Sequence, residues 1–475
     1  MAVKARIIIK NGVWSKIDRL DSRVASRIYK AMRFMSQKNF WAAGGRNRTS
    51  GWKGYVDFYD KGNGSFLTGL VPEMELLLRD MGVPYEMCRL KDCPTPVELR
   101  EDLLCPTIVR PRGQQLRDDQ VEYLWRMIEH RRGIVKAATG YGKTAVMAAY
   151  LKMVPEDIFT VIVINSKDLI SQTIEGFEEY GIDPDRLGWI FNSKTRGRRV
   201  IISTTPGLQK LDDVGLLPHV QVLMVDEAHH GSTTNKMTRW MKKMTNCMDR
   251  FAFSATPFKP DKVHNMKLRG HFGIQLGDVP LHELQDIDVL TTTECHFYYV
   301  DHPDADYEAP FQEAYQEYLV NFNEYNDFVA KKVRALKGRT LVSVEWKDQG
   351  EALAARIPGA HWVSADNPKK YRDQLRGLLR NDPDDIVVIA TKVFGTGLDF
   401  YIHNLVNAGG GKSEIKVKQL FGRGVRKSGD KQHLLYIDFV HIMNKHLKRH
   451  SNARVKHLKD EFQEVTIHED GGLEF

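Results

Sequence analysis

The chain has 475 residues, 42% of them hydrophobic, with 69 Lys and Arg against 61 Asp and Glu, a net charge of +8. That length exceeds what one hydrophobic core supports, so two to four domains are expected. No run of about eighteen apolar residues occurs, and Met1-Ala2-Val3-Lys4-Ala5-Arg6 lacks the apolar stretch of a secretion signal. These features exclude a membrane-spanning helix and favour a cytoplasmic protein.

The first segment, 1–105, is expected to be a small α+β domain. Val3 to Ile9 is a β-branched run, Arg19 to Phe34 carries apolar residues at helical spacing, and Gly51 to Tyr59 reads as a strand entered by a turn. Residues 1–60 hold 13 Lys and Arg against 4 Asp and Glu, interleaved with Trp14, Phe34, Phe40, Trp41, Trp52 and Tyr55. A basic, aromatic surface of this kind suits a polyanion, while a solvated basic face over an aromatic core fits the same pattern. Pro94, Pro96, Pro106 and Pro111 mark a linker near 91–112. Cys88, Cys93, Cys105, Cys247 and Cys295 form no CxxC pair and are expected to be free thiols in a reducing compartment.

From 112 to 290 short β-branched runs alternate with helical patterns: Gly133–Ala137, Thr160–Ile164, Val200–Ser203, Val220–Val225 and Arg250–Phe253. A second set spans 291–445: Thr340–Val344, Ala360–Val363, Asp385–Ile389, His403–Asn407 and His433–Ile437. The alternation predicts two α/β lobes with parallel sheets and crossover helices. Residues 446–475 read as a basic, then acidic tail, disordered at its acidic end, where 460–475 carry six acids and no Lys or Arg.

Ala138-Thr139-Gly140-Tyr141-Gly142-Lys143-Thr144 follows an apolar run and opens a helical pattern. Glycines let backbone N–H groups approach phosphate oxygens, Lys143 is placed to reach the β- and γ-phosphates of ATP, and the Thr144 hydroxyl is a ligand for Mg2+. Thr139, Gly140 and Gly142 complete the cradle, although Ala137 stands where the full pattern has another glycine. Downstream, Val222 to Val225 is a buried-type strand ending in Asp226-Glu227-Ala228-His229. At the C-terminal edge of a parallel sheet Asp226 lies where it can hold Mg2+ through water, and Glu227 where it can deprotonate the attacking water. His229 is positioned to relay the nucleotide state. The pair His229-His230 lacks partners at ligand spacing and is not read as a metal site.

Asp226 to His229 together with Ser254-Ala255-Thr256 resembles motifs II and III of superfamily-two helicases, the DEAH-type translocases. That resemblance implies two RecA-like lobes and ATP-driven movement on nucleic acid. Ser254 and Thr256 then couple hydrolysis to motion, and Gln120, in Leu116 to Gln120, matches the adenine-reading segment. Ser166 and Gln172, in Asn165 to Gln172, and Thr204, in Ser203 to Thr205, match strand-contacting positions, with Asn165 in place of the usual proline. In the second lobe Ile389 to Asp399 resembles motif V and Gln419 to Lys427 motif VI. The resemblance puts Thr391 on nucleic acid, and Gly397, Asp399 and Gln419 at the nucleotide. Arg423 and Arg426 become arginine fingers, since a guanidinium must offset charge growing on the γ-phosphate. Gly409-Gly410-Gly411-Lys412-Ser413 lacks the spacing of a second phosphate loop and is read as a mobile loop, with Lys412 and Ser413 as nucleic-acid contacts.

Gly51-Trp52-Lys53-Gly54, Tyr59-Asp60, Phe66 to Leu70 and a helix ending at Met81-Gly82-Val83 resemble the N-terminal domain of phage UvsW-type helicases. That resemblance implies a DNA motor acting on forked or junction DNA in recombination, repair or replication, located in the host cytoplasm if phage-encoded. Other readings stay open: an RNA helicase, a double-stranded DNA translocase subunit of a restriction complex, and a binding module with a vestigial ATPase.

Overall fold

The computed structural model describes residues 4–36, 54–100, 115–138, 140–166, 169–191, 194–231, 234–287, 289–381, 385–391, 402–411, 433–461 and 465–473. The chain divides into two compact units, Met1–Ala137 with Gly142–Asp278, and Ala138–Tyr141 with Val279–Phe475.

The first unit begins with a four-stranded sheet in the order β5-β2-β1-β6, with a two-stranded ribbon β3-β4 beside it. Its strands are β1 (Ala5–Ile9), β2 (Trp14–Asp18), β3 (Arg33–Met35), β4 (Tyr55–Asp57), β5 (Ser65–Leu67) and β6 (Tyr85–Arg89). The β-branched run Ile7-Ile8-Ile9 favours the extended backbone of β1, which pairs antiparallel with β2 and parallel with β6. Two helices cover the sheet. Ser22–Ala31 is started by the Asp21 carboxylate, which accepts from the Arg23 N–H, and Val71–Asp80 carries a proline in its first turn. Ile7, Ile17, Ile28, Phe66, Leu70, Met74 and Leu78 form the core.

This small α+β part is fused to the sheet that follows it. Gly12 donates its N–H to the Thr245 carbonyl at 2.8 Å, and the Arg132 guanidinium donates to the Gly12 carbonyl at 2.8 Å. A Cβ on Gly12 would lie 2.0 Å from the Cys247 oxygen, and one on Gly69 would lie 2.2 Å from the Arg269 oxygen. Backbone meets backbone at both places, so only glycine fits. Val263, from the helix Lys262–Phe272, belongs to the same apolar cluster as the N-terminal core. The N-terminal part therefore belongs to the same compact unit as the nucleotide-type sheet.

That second sheet has the order β10-β9-β11-β8-β12-β13-β7-β14. It comprises β7 (Arg132–Ala137), β8 (Thr160–Ile164), β9 (Leu187–Phe191), β10 (Lys194–Arg196), β11 (Val200–Thr204), β12 (Val222–Val225), β13 (Asp249–Ser254) and β14 (Gln275–Val279). β9, β11, β8, β12, β13 and β7 run parallel and β10 antiparallel. Every residue of β8, β11, β12 and β13 is buried, as strands covered on both faces must be.

The second unit is built on a sheet of order β17-β18-β16-β19-β20-β15-β21, parallel throughout. Its strands are β15 (Thr292–Val300), β16 (Thr340–Ser343), β17 (His361–Val363), β18 (Val387–Ala390), β19 (Asn404–Asn407), β20 (His433–His441) and β21 (Val465–Leu473). Each unit thus carries a RecA-like α/β sheet. The end of the chain corrects the expectation of a tail. Lys445–Glu461 is a helix packed on β20, and β21 adds to the edge of the sheet beside β15. The acidic composition there misleads because pairing with β15 satisfies the backbone whatever the side chains carry. Among the described residues no helix is long and apolar enough to cross a membrane.

Candidate nucleotide site

β7 ends at Ala137, and the turn beyond it uses two glycines in the left-handed region, Gly140 at φ 89 and Gly142 at φ 92. Side chains are strained there, and glycine is not. Gly142 is the N-cap of the helix Lys143–Met153, and no side chain caps that helix. Its first N–H groups and the positive end of its dipole therefore suit an anion. Eight of the eleven residues of this helix, including Tyr150, are buried, which fixes its start firmly.

Gln120 is buried at the third position of the helix Asp118–His130, where its Oε1 accepts from the Arg117 N–H at 3.1 Å. A Cβ on Gly142 would sit 2.6 Å from Gln120 Nε2, so the amide lies directly against the turn. Gln120 and Gly142, expected at the adenine and the phosphates respectively, therefore lie side by side.

Lys143 Nζ lies 3.6 Å from Glu227 Oε1 and 3.4 Å from the Ala137 carbonyl. Asp226 and Glu227 follow β12 at the C-terminal edge of the sheet, and the Asp226 N–H donates to the Val163 carbonyl at 2.8 Å. Burial, then the Glu227 carboxylate, push the Asp226 carboxyl above its ordinary value, with Lys143 opposing. Asp226 Oδ1 is buried without a hydrogen-bond partner among the described residues. A buried carboxylate oxygen in that state has capacity left for a hydrogen-bond donor or a cation. Glu227 has φ 47, a left-handed backbone in a residue with a Cβ, and strain of this type collects at functional sites.

Glu227 Oε2 is 3.3 Å from His229 Nδ1, and that same nitrogen is 2.7 Å from Ser254 Oγ at the end of β13. Ser254 Oγ accepts in turn from the Thr256 N–H at 3.1 Å. His229 and Ser254 are buried, so this bridge between two strand ends is shielded from water. Sequence reasoning missed its continuation. Lys259 Nζ donates to the His229 carbonyl at 2.8 Å, and the Asn265 side chain bonds both the N–H and the carbonyl of Lys259. Only the strand order brings Lys259 to His229, and no local pattern announces it.

Ser166 and Thr204 lie just beyond or at the ends of β8 and β11, on the same edge as Asp226, and Gln172 lies on the helix Leu169–Glu179 that follows β8. Thr144 is half-buried at the second position of its helix. In the other unit Thr391 follows β18 and donates its N–H to the Val363 carbonyl at 3.2 Å. Thr139, Gly397, Asp399, Lys412, Ser413, Gln419, Arg423 and Arg426 lie outside the described residues, as do Phe40, Trp41 and Trp52. Trp14 is half-buried under Lys242, whose Nζ is 5.3 Å from its ring centre, so its ring serves packing within the first unit. Cys88, Cys93, Cys247 and Cys295 are free thiols, and no metal-holding cluster of His, Cys, Asp and Glu occurs among the described residues.

The Gly409–Gly411 turn departs from the mobile loop expected. Tyr325 Oη and Gln349 Nε2 donate to the Ala408 carbonyl at 2.9 and 3.0 Å, Tyr315 Oη donates to the Gly409 carbonyl, and Arg454 holds Gly410 and Gly411. A glycine run leaves carbonyls open to buried donors, and here they are all met.

Comparisons with known proteins agree with this geometry. Residues 113–259 match the family described as type III restriction enzyme, res subunit. S. cerevisiae Dbp5 bound to RNA and ADP BeF3 shares the fold at TM-score 0.55 and 17% identity, over 78% of this chain and 93% of that one. The DUF1998 helicase MrfA bound to DNA does so at TM-score 0.54 and 16% identity, over 79% of this chain and 52% of that one. With two RecA-like sheets and this edge of Gln, Lys, Asp, Glu, His and Ser, the chain has the fold of these helicases. The chain is similar to the ATP-dependent DNA helicase uvsW of Enterobacteria phage T4, at 22% identity over 331 residues. That match covers 66% of this chain and 66% of the relative.

Proposed function

We propose that the chain is an ATP-dependent DNA helicase that unwinds or branch-migrates forked and junction DNA in recombination, repair or replication. One observation carries the chemistry: Lys143, the Asp226 oxygen that has no partner among the described residues, the strained Glu227 and the His229–Ser254 bridge share one edge of one sheet. The DNA substrate is supported by the similarity to uvsW, named as a DNA helicase.

The uncapped helix start at Gly142 and Lys143 receives the phosphates of ATP, and the side chain of Gln120 abuts the turn that holds them. Thr144 and Asp226 would hold Mg2+, which when bound offsets negative charge on the β- and γ-phosphates. Lys143 and His229 hold the Glu227 carboxylate from two sides, so that it faces the attacking water in one orientation and takes its proton. As that proton and the phosphate leave, the field at His229 changes, and the buried bond to Ser254 carries the change to Thr256. Arg423 and Arg426 supply the remaining positive charge in the transition state. Ser166, Gln172, Thr204, Thr391, Lys412 and Ser413 contact the phosphodiester backbone, giving salt-sensitive, sequence-independent affinity. The basic segment of 1–105 adds duplex or junction binding, and moves with the sheet to which Gly12 and Gly69 fuse it.

The test is ATP turnover and strand separation on single-stranded, duplex, forked and four-way DNA, with an RNA control. Stimulation by branched DNA and separation of its strands are expected. Preference for RNA would replace this reading with that of an RNA helicase, and turnover on duplex without separation would favour a restriction-type translocase.

A further inference from the structure

Arg132, at the start of β7, and Arg250, in β13, are partners in register between two parallel strands, so their side chains leave the same face of the sheet side by side. Arg250 is fully buried. Its Nε donates to the Cys247 carbonyl at 3.0 Å, and its Nη2 to the Met241 and Met244 carbonyls at 3.2 and 2.6 Å, at and just beyond the end of the helix Asn235–Met241. The Arg132 Nη2 bond to Gly12 takes one donor of the other guanidinium. That leaves Nη1 of both arginines buried with no hydrogen-bond partner among the described residues. The helix Lys262–Phe272 packs on both strands and carries His271, which is 1% exposed and has both ring nitrogens in the same unpartnered state. Two residues on, a Cβ at Gly273 would lie 2.9 Å from Arg132 Cγ, so the end of this helix rests on the arginine stem.

The charge balance at this place is one-sided. The groups acting on His271 are Arg250, Lys242, Arg132 and Lys267, all cations, and behind the larger effect of burial they hold its imidazole well below its ordinary value, so that it stays neutral. Asp249 precedes Arg250 and therefore faces the other side of the sheet, where Arg131 and Tyr150 donate to it at 2.7 and 2.9 Å. Cys247 adds no negative charge, because burial pushes its thiol up to about 11. No carboxylate forms an ion pair with Arg132 or Arg250 among the described residues. Burial, then the charge of Arg250, pull Arg132 down to about 9. Arginine keeps its proton in proteins, so this penalty is relieved by bringing in negative charge. Water satisfies open donors but leaves two like charges side by side.

We propose that Arg132, Arg250 and His271 form a binding site for a small monovalent anion of the halide type, where the N-terminal part meets the first sheet. Nη1 of each guanidinium and one ring N–H of the neutral imidazole are its donors. The ion must be small and singly charged, because it enters stripped of water and the cost of burying charge climbs steeply with its magnitude. Arg132 also holds Gly12, so a bound halide stiffens the seam that carries the basic N-terminal part. The site stands independently of the nucleic-acid reading above.

The experiment follows thermal melting of the full chain at constant ionic strength while sodium chloride replaces sodium gluconate, whose anion is too large to enter. Wild type is expected to melt about 3–6 °C higher in chloride, and bromide is expected to act like chloride. Arg132→Met removes one guanidinium from a half-buried position and is expected to reduce the chloride-dependent shift to less than about 1 °C. His271→Phe keeps both arginines, removes the third donor and is expected to give a shift smaller than wild type. If neither variant folds, crystals grown in bromide decide: an anomalous scattering peak beside Nη1 of Arg132 and Arg250 supports the site, and water alone in that position overturns it. Equal melting of wild type in chloride and gluconate overturns the proposal. So does a chloride shift that Arg132→Met retains in full, which would mark general screening of a basic surface.

Discussion

The two sheets end in opposite electrostatic states. Among the described residues, Asp226 at the edge of the first unit keeps a buried carboxylate oxygen without a partner, Glu227 holds a left-handed backbone, and the helix at Lys143 starts without a side-chain cap. At the edge of the second, Arg454 and Asp438 are fully buried, yet every donor of the guanidinium is used. The unfinished edge is shaped for something not in the chain, and the finished edge is shaped to hold the chain itself. Buried charge alone therefore does not mark a site of chemistry. Whether its hydrogen-bonding capacity is spent inside the protein separates the two cases.

Substitutions on the two edges should fall into distinct classes. The largest effect belongs to Lys143→Ala, expected to lower kcat for ATP by about 10³-fold or more, because it removes the cation proposed to meet the transferred phosphate. Steady-state hydrolysis checks it, and near-normal turnover would refute the phosphate-loop assignment. Glu227→Gln follows, with a loss of about 10²-fold to 10³-fold in kcat and retained binding of a fluorescent ATP analogue. Lost binding would move Glu227 from proton transfer to nucleotide anchoring.

On the finished edge Asp438→Asn leaves the Arg454 charge buried without its counterion. Breaking such a pair costs about 3–5 kcal/mol, a pronounced drop in the midpoint of chemical denaturation. The smallest effect should have the opposite sign. Asp226→Asn removes a buried charge repelled by Glu227, so the nucleotide-free protein should melt about 1–3 °C higher while hydrolysis fails. Should Asp226→Asn destabilise as Asp438→Asn does, the contrast between the edges would be gone.

Much of the fold could be read from local pattern. The runs expected at Thr160–Ile164 and Val200–Ser203 became β8 and β11, with β11 one residue longer, and those at Thr340–Val344 and His403–Asn407 became β16 and β19. Buried parallel strands demand β-branched residues on both faces, and that demand writes itself into the sequence. Strands β2, β3, β5, β6, β9, β10, β14, β15 and β21 were not anticipated. β21, Val-Thr-Ile-His-Glu-Asp-Gly-Gly-Leu, owes its existence to the open edge of β15, not to its own propensity. Of the residues proposed for the site, Gln120, Lys143, Asp226, Glu227, His229 and Ser254 were named from motif spacing, and the structure brings them to one sheet edge. Lys259 and Asn265 were not named, since their partners depend on which strand lies beside which.

The sequence alone singled out the residues proposed for nucleotide chemistry, because a glycine turn, two acids and a histidine each follow a particular strand at a fixed short distance along the chain. Tertiary structure decided the rest. It fused the basic N-terminal part to the first lobe through glycines too crowded for a Cβ, and it turned an expected loose glycine loop into a clamped turn. It also drew a seeming tail into the second lobe. The reason is common to all three: long-range hydrogen bonds and close backbone contacts join residues far apart in sequence, so no local pattern records them.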